Sequence, residues 1–575
     1  MNLILNKNLL YFNKIINIFD IFSVLIIIIF FSVGIYIIIS YDALVWVDII
    51  TDDAYYYLGI ARNMVENGIS SFMPPFKTNG YQPLWLLLLT LTGFIFGTSD
   101  LSLVIQLYSL TFLFVAAFTY FSKIQYLIGF NSALSFLAFS NIICGMESVL
   151  IPTFFILFIN ALNWKLRGVF GSFLFLSRLD TLSIIVARDI YYFFIKKQVD
   201  LRHYLVIIPM IAVYAAINFY YFNIPVPVSG LSKSVGNHFA ENFFIGGYIY
   251  LKGLIYPAEV FLIIVVILKL KKYKINELNF LSEIVIATVA CFLCLLYYGT
   301  LSGWPIWAWY FWATFLINFF ITLECIYLIK KLLNDNFSFF NYIYVGVLCL
   351  VIFFTLNPAI TSMLSRINMA VSAANANSVE ETFGSKNLEL VNWIHKKQLP
   401  ENTYFAMGDR AGSFGFFLGN HYRFFHTEGL VSSTEYYKAM STDKGLDFVD
   451  HLDINYWIAD RENYLVENDI IGVIEPVQGQ SAHIGPYMVC FPKNSIVLDQ
   501  RYLDASMSFH GNLYFQRYVF DAQQRTICPD AMNQKFLELK NRYGGVAAYS
   551  FPYSIKPNSF SYRAIEYFRS IGWIH

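Results

Sequence analysis

The chain has 575 residues, of which 57% are hydrophobic and 14% charged, and its mean hydropathy is +0.53. Soluble domains carry about 25% charged residues, so a wholly soluble protein is excluded, and the apolar content equally excludes disorder. Lys plus Arg and Asp plus Glu both number 39; the zero net charge gives no general pull towards nucleic acid, while the 19% of aromatic residues suits lipid contact.

In chain order, residues 21–40 form an unbroken apolar run of about the 20 residues that cross a bilayer. Lys7 and Lys14 precede it and no small-residue cleavage site follows, so it reads as an uncleaved first span with the N-terminus inside. A more polar stretch, 41–100, contains one apolar piece, Pro83 to Gly97, which is short for a span and reads as a surface or re-entrant helix. Further spans are expected at about 101–122, 130–145, 148–163, 169–179, 181–195, 203–222, 248–268, 280–298, 306–329 and 340–357, which makes about eleven. Under this count Lys123, Lys165, Arg167, Lys196, Lys197, Arg202, Lys269, Lys271, Lys272, Lys274, Lys330 and Lys331 all fall on the cytoplasmic side, as the positive-inside bias requires. The fold class expected is therefore a polytopic all-α membrane domain, 1–357, followed by a soluble extracytoplasmic domain, 358–575, of α/β or α+β type. In that tail Thr403–Met407 and Ile470–Val473 read as strands and Leu388 to Lys397 as a helix, and glycines at 408, 412, 415 and 419 predict a loop-rich stretch.

The polar residues that such a chain would otherwise avoid carry the functional reading. Asp48, Asp52 and Asp53 precede or open a run in which Ala54, Leu58, Ala61 and Val65 follow helical spacing, with Arg62, Asn63 and Glu66 on the other side and Gly68 as the stop. This predicts an amphipathic helix in the outer interface. A cap and a dipole partner explain one or two of these carboxylates; the alternative is an aspartate kept ionised as a base or metal ligand. On the same side lie Glu147 in a short turn, and Arg178 and Asp180 interrupting an apolar stretch; these either neutralise one another or act on a substrate. Ser229 and Lys233 sit in an outer loop, either solvated or as a phosphate clamp, and Trp309 and Tyr310 open a span as an aromatic belt or as substrate contacts. Arg188 and Asp189 lie towards the cytoplasmic end and read as structural.

Cys144, Cys291, Cys294, Cys325 and Cys349 lie in apolar stretches and act as small hydrophobes. Cys490 and Cys528 lie in the polar tail and can pair if it is extracytoplasmic. The histidines are dispersed, and no glycine-rich nucleotide loop is present.

A first span followed by an outer loop with an acidic pair opening a helix resembles the GT-C superfamily of membrane glycosyltransferases, which includes protein O-mannosyltransferases, lipid A aminoarabinose transferases and the catalytic subunit of oligosaccharyltransferase. The residues that carry the resemblance are Asp52-Asp53, the following Ala-Arg-Asn-Met run, Thr78-Asn79-Gly80-Tyr81-Gln82-Pro83-Leu84-Trp85, and Gly145-Met146-Glu147 at the place of a second-loop acidic residue. The O-mannosyltransferase-like branch usually has Asp-Glu and a His/Pro-Pro-Leu element, where this chain has Asp-Asp and Tyr-Gln-Pro-Leu-Trp. The resemblance covers about residues 20–360. It implies an integral-membrane glycosyltransferase that moves a sugar, with inversion, from a polyprenyl-phosphate donor to a hydroxyl of a glycan, lipid or protein acceptor on the outer side of a membrane; the balanced short loops and the lack of a retention signal favour a bacterial inner membrane. It further implies Asp52 as general base with Asp53 second, Glu147 and Asp180 orienting substrate, Lys233 and Arg178 at the phosphate, and Ser229, Tyr81, Gln82, Trp309 and Tyr310 around the substrate. If a divalent ion takes part, Asp52, Asp53 and Glu147 would hold it, and oxygen ligands suit Mg²⁺ or Mn²⁺. Two other classes compete: a lipid or solute carrier, whose charges would line a path at mid-depth, and a non-catalytic assembly protein of the same fold.

Overall fold

The computed structural model describes residues 21, 24–126, 136–137, 139–140, 143–233, 262–268, 278–301, 308–334, 343, 346–347, 350, 382–460, 464–475, 487–499 and 517–542. Among the described residues the part before residue 335 is mainly helical: α1 (Val24–Ser40), α2 (Asp52–Asn67), α3 (Pro83–Phe96), α4 (Asp100–Tyr126), α5 (Leu150–Ile159), α6 (Trp164–Ser177), α7 (Leu182–Phe194), α8 (Tyr204–Phe222), α9 (Val228–Ser232), α10 (Leu281–Leu301) and α11 (Trp312–Asn334). Among the described residues four segments are long and apolar enough to cross a membrane: Asp100–Ser122, Tyr204–Phe222, Leu281–Tyr298 and Trp312–Ile329. The expected spans at 148–163, 169–179 and 181–195 are instead helices of 10, 14 and 13 residues, which at 1.5 Å per residue reach about 15–21 Å and fall short of a ~30 Å hydrocarbon core. Those expected at 130–145, 248–268 and 340–357 lie largely outside the described residues.

Chain direction sorts the polar residues to opposite ends of these helices. Glu147 precedes α5, the chain turns at Asn160–Asn163, and α6 brings it back to Arg178. There a 3-10 turn over Leu179–Thr181 re-aims the chain into α7, which carries it away again. The far end holds Arg167 paired with Asp200 at 3.6 Å, and Asp189 between Arg188 at 2.8 Å and His203 at 3.2 Å. Helix α8 then returns the chain to the Glu147 end, exposing Leu205, Ile208, Val213, Phe219 and Tyr220 along its length, as expected of a surface that meets lipid rather than water. Helix α3 keeps both ends at the Glu147 side: Gln82 precedes it, and beyond Gly97 the side chain of Asp100 pairs with Arg62 of α2.

The C-terminal region carries the sheets. Helix α12 (Phe383–Lys397), started by a capping box at Thr382 and Ser385, leads into β1 (Tyr404–Met407), α13 (Gly412–Leu418), β2 (Arg423–His426), α14 (Thr434–Ser441), α15 (Gly445–Asp450) and β3 (Tyr456–Asp460). Strands β4 (Tyr464–Glu467), β5 (Ile470–Glu475), β6 (Tyr487–Pro492), β7 (Ile496–Asp499) and β8 (Arg517–Asp521) follow, then α16 (Asp530–Arg542). A mixed sheet has the order β2-β1-β3-β8-β7, and a second sheet the order β4-β5-β6. The first is parallel where a helical crossover joins its strands, with Tyr404 opposite Arg423 and Met407 opposite His426. Cys490 of β6 forms a disulfide with Cys528, just before α16. The strands at 404–407 and 470–475 and the helix through 388–397 occur as the sequence indicates. The glycine-punctuated stretch is not all loop: residues 412–418 are helical, Gly408, Gly412 and Gly415 serve close packing, and Gly419 ends the helix at a φ of 68°.

That packing joins the two parts. Asp52 does not cap its own helix; its carboxylate accepts from the backbone N–H of Gly412 at 2.9 Å, from the N–H of Ser413 at 2.8 Å and from the Ser413 hydroxyl at 2.6 Å. It thus caps α13, where orphan N–H groups and the helix dipole favour an anion. A Cβ on Gly412 would lie 2.1 Å from the Asp52 carbonyl oxygen, so only glycine admits this approach. Arg62, predicted on a polar outer face, is buried and donates to the Phe416 carbonyl at 3.1 Å with its guanidinium 4.1 Å from the Phe416 ring centroid. Arg62 therefore faces protein, not solvent, because Phe416 of the C-terminal domain covers it, while Glu66 on the same side stays exposed. Replacing Gly412 with Val forces the two backbones apart; limited proteolysis of the purified variant is expected to release the C-terminal domain faster than from wild type.

Candidate functional site

The face of α2 opposite its contact with α13 builds the site. Asp53, Tyr56, Tyr57 and Ile60 recur at i, i+3, i+4 and i+7 and so form one stripe. All four line one cleft. Its remaining wall includes Gly80, Tyr81 and Gln82 from the segment between α2 and α3, Glu147, Arg178, Ser229, Lys233, Trp309 and Tyr310 from the helix ends, and Leu430 and Val431 from the C-terminal domain. A second lobe shares Gln82, Arg178, Ser229, Lys233 and Tyr310 with the first and adds Asp180, Pro227, Tyr297, Tyr298 and Leu301. The first lobe lies under the C-terminal domain and the second at the end of α10.

Every site residue named from the sequence except Asp52 thus borders one two-lobed cleft. Asp52 and Asp53 are adjacent and therefore point about 100° apart on the helix. One is consumed in holding α13; the other faces the cavity. Tyr81 is fixed by the Ser70 hydroxyl at 3.0 Å, and the Gln82 backbone N–H donates to Tyr57 at 3.1 Å. Gln82 Oε1 is buried with no hydrogen-bond partner among the described residues. Ser148 donates to the Trp309 carbonyl at 2.6 Å and so ties the start of α5 to the segment before α11.

Arg178 organises the acids. Its Nε and Nη2 donate to Asp180 at 3.0–3.2 Å, its Nη1 to Glu147, and its Nη2 to the Tyr298 hydroxyl at 3.1 Å. The guanidinium also lies 4.6 Å from the Tyr310 ring centroid. Tyr57 donates to the other oxygen of Glu147 at 3.0 Å. Removing either acid would leave a buried cation underpaired, which costs about 3–5 kcal/mol; these three residues form a built wall. Lys233 donates to the Tyr310 hydroxyl at 2.9 Å and borders both lobes.

The arrangement does not fit the divalent-ion set formed by Asp52, Asp53 and Glu147. Asp52 is bound to backbone amides and Glu147 to Arg178 and Tyr57. Among the described residues no group of three or more His, Cys, Asp or Glu side chains is placed to hold one metal ion.

Asp53 is the chemically distinctive group. Burial raises its carboxyl from 3.8 to about 7; Lys233 opposes that rise, while Asp52, Glu147 and Asp409 add to it. Tyr56, Tyr57, Leu430 and Val431 were not singled out in the sequence. The spacing from Asp53 could have indicated the two tyrosines, whereas nothing local links residues 430–431 to a helix some 370 positions earlier. Gly80 makes that link possible, since a Cβ there would lie 2.0 Å from the Leu430 carbonyl oxygen.

No family model matches the chain, and no curated protein matches it significantly.

Because Asp53 binds its proton more tightly folded than unfolded, folding takes up a proton between about pH 4 and 7. Its contribution is fully present below pH 4 and is lost as pH rises through about 7. Thermal unfolding midpoints measured from pH 4 to 8 should therefore fall less steeply for Asp53→Asn than for wild type.

Proposed function

We propose that the protein is an integral-membrane glycosyltransferase of GT-C type, transferring a sugar from a polyprenyl-phosphate donor to an acceptor hydroxyl on the extracytoplasmic side. The observation that carries this reading is the cleft itself: a carboxyl titrating near neutrality and a lysine share one cavity at the ends of apolar helices. A lipid-linked donor enters sideways from the second lobe, beside the outer end of α10, so its phosphate reaches Lys233. The sugar then lies in the first lobe, facing Asp53. Asp53 takes the proton of the acceptor hydroxyl; the acceptor oxygen bonds to the anomeric carbon as the bond from that carbon to the phosphate oxygen breaks, with inversion. The phosphate leaves with the electron pair, and Lys233 offsets its growing charge in a site sheltered from water. Arg178, committed to Glu147, Asp180 and Tyr298, holds the wall rigid, and Trp309, Tyr81 and Ser229 frame the sugar.

The base thus moves from Asp52, the first expectation, to Asp53, because the Asp52 carboxylate is bound by α13. A general base works best with a pKa near the working pH, and a placed base contributes about 10²–10⁴-fold. An orientation with the N-terminus in the cytoplasm of a bacterial cell and the C-terminal domain outside belongs to the same proposal. It is supported by Lys165, Arg167, Lys196, Lys197 and Arg202 at the helix ends opposite the cleft, and by the Cys490–Cys528 disulfide, a bond of oxidising compartments. The carrier reading places charges along a path at mid-depth; here the cleft charges gather at one end.

Membranes containing the protein, incubated with radiolabelled polyprenyl-phosphate sugars, are expected to yield a labelled product. Asp53→Asn should lower the rate by about 10²–10⁴-fold, and Asp52→Asn by much less. With an ionised Asp53 as base, kcat/KM should rise with pH to a plateau, with an inflection at about 7. Full transfer by a folded Asp53→Asn protein would overturn the reading.

A further inference from the structure

Gln82, Arg178, Ser229, Lys233 and Tyr310 border both lobes of the cleft and so mark the neck between them. Arg178 is bound to Glu147, Asp180 and Tyr298, and Lys233 donates to the Tyr310 hydroxyl. The Ser229 hydroxyl can rotate to donate or to accept, so it selects nothing. Gln82 differs from all of these. Its backbone is held on both sides: the N–H donates to Tyr57 at 3.1 Å, and the carbonyl accepts from the Leu86 N–H at 3.3 Å. It is also the N-cap of α3, yet its side chain makes no capping hydrogen bond.

The Gln82 carboxamide therefore stands idle at the neck. Oε1 is buried without a hydrogen-bond partner, and Nε2 likewise has none among the described residues. A buried acceptor left unpaired costs free energy that a bound ligand restores. A carboxamide presents an acceptor and a donor side by side in one plane, so its complement is a donor beside an acceptor. With the donor phosphate at Lys233 and the sugar in the first lobe, the phosphate-bearing anomeric carbon falls at the neck. Neither the phosphodiester oxygens nor the sugar ring oxygen has a proton to give. The nearest group that does is the hydroxyl on the adjacent carbon, C2.

We infer that Gln82 is a specificity-determining substrate contact: its Oε1 accepts from the C2 hydroxyl of the donor sugar while its Nε2 donates to the neighbouring phosphate oxygen. This rests on the glycosyl-transfer reading and deepens it, because it names the substrate class as a lipid-phosphate hexose with a free hydroxyl at C2. A 2-deoxy sugar leaves Oε1 buried and unpaired, and a site built to hydrogen-bond a substrate hydroxyl rejects the analogue that lacks it. Gln82 moves no proton; that task stays with Asp53.

The test is equilibrium binding to the purified full-length chain, read by isothermal titration calorimetry with no acceptor present. The probes are farnesyl-phosphate-linked glucose and mannose and their shared 2-deoxy analogue. Wild type is expected to bind the better of the two hexose donors about tenfold more tightly than the 2-deoxy donor, the worth of one hydrogen bond. Gln82→Met keeps the length of the side chain and removes both amide atoms. It should bind the hydroxylated and 2-deoxy donors within about twofold of each other, and its binding of the 2-deoxy donor reports an intact fold. Should Gln82→Met not fold, Gln82→Leu takes its place. If wild type binds these donors without distinguishing them, or the variant keeps the preference, the inference fails and the functional reading stands. If wild type binds no farnesyl-phosphate sugar, both fall.

Discussion

The cap that Asp52 places on α13 is the constraint on which the rest depends. One carboxylate accepts three hydrogen bonds from Gly412 and Ser413, and hydrogen bonds to a charged group are worth about 1.5–3 kcal/mol each. That bond fixes the rotation of α2 about its axis as well as the seat of the C-terminal domain. Once Asp52 is turned outward to α13, helix geometry turns Asp53, Tyr56 and Tyr57 towards the helix ends that carry Glu147, Arg178 and Lys233. The cleft and the joint between domains are two faces of one helix.

The electrostatics of the cleft follow from the same placement. The acids outnumber the cations around it, and the wall divides them by function. Glu147 and Asp180 are bound to Arg178 with their geometry set by Tyr57 and Tyr298. Asp53 has no guanidinium among its influences; desolvation dominates, and Lys233 is the cation that opposes it. Three carboxyls around one cleft are thus set apart by their surroundings, two held by Arg178 and one dominated by desolvation, as expected where environments push pKa values apart.

The three successive tyrosines of α2 show how one helix serves several surfaces. Tyr55 donates to the Val47 carbonyl at 2.7 Å and packs on Phe416 and Phe417. Tyr56 reaches His426, and Tyr57 reaches Glu147. At 100° per residue, consecutive tyrosines address the C-terminal domain, the junction and the membrane-side wall in turn. A run that reads as aromatic enrichment at an interface is a set of three separate hydrogen bonds.

The sequence by itself determined several apolar helices long enough to cross a membrane, the helix opened by Asp52 and Asp53 and stopped by Gly68, the strands of the C-terminal region, and which polar residues gather at one end of the helices. These follow from local chemistry: apolar run length, helical spacing, a left-handed cap and charge bias. Which of two adjacent aspartates faces the cavity was decided only by the tertiary structure, because it depends on the backbone amides of Gly412 and Ser413, 360 residues away. So was the burial of Arg62, whose polar helix face looks solvent-bound until Phe416 covers it. The helical state of 412–418, hidden by its glycines, and the place of Leu430 and Val431 in the cleft wall likewise depend on how the C-terminal domain docks. Close approach of two backbones leaves no periodic signal in either segment; it leaves only a glycine, and a glycine reads first as a turn.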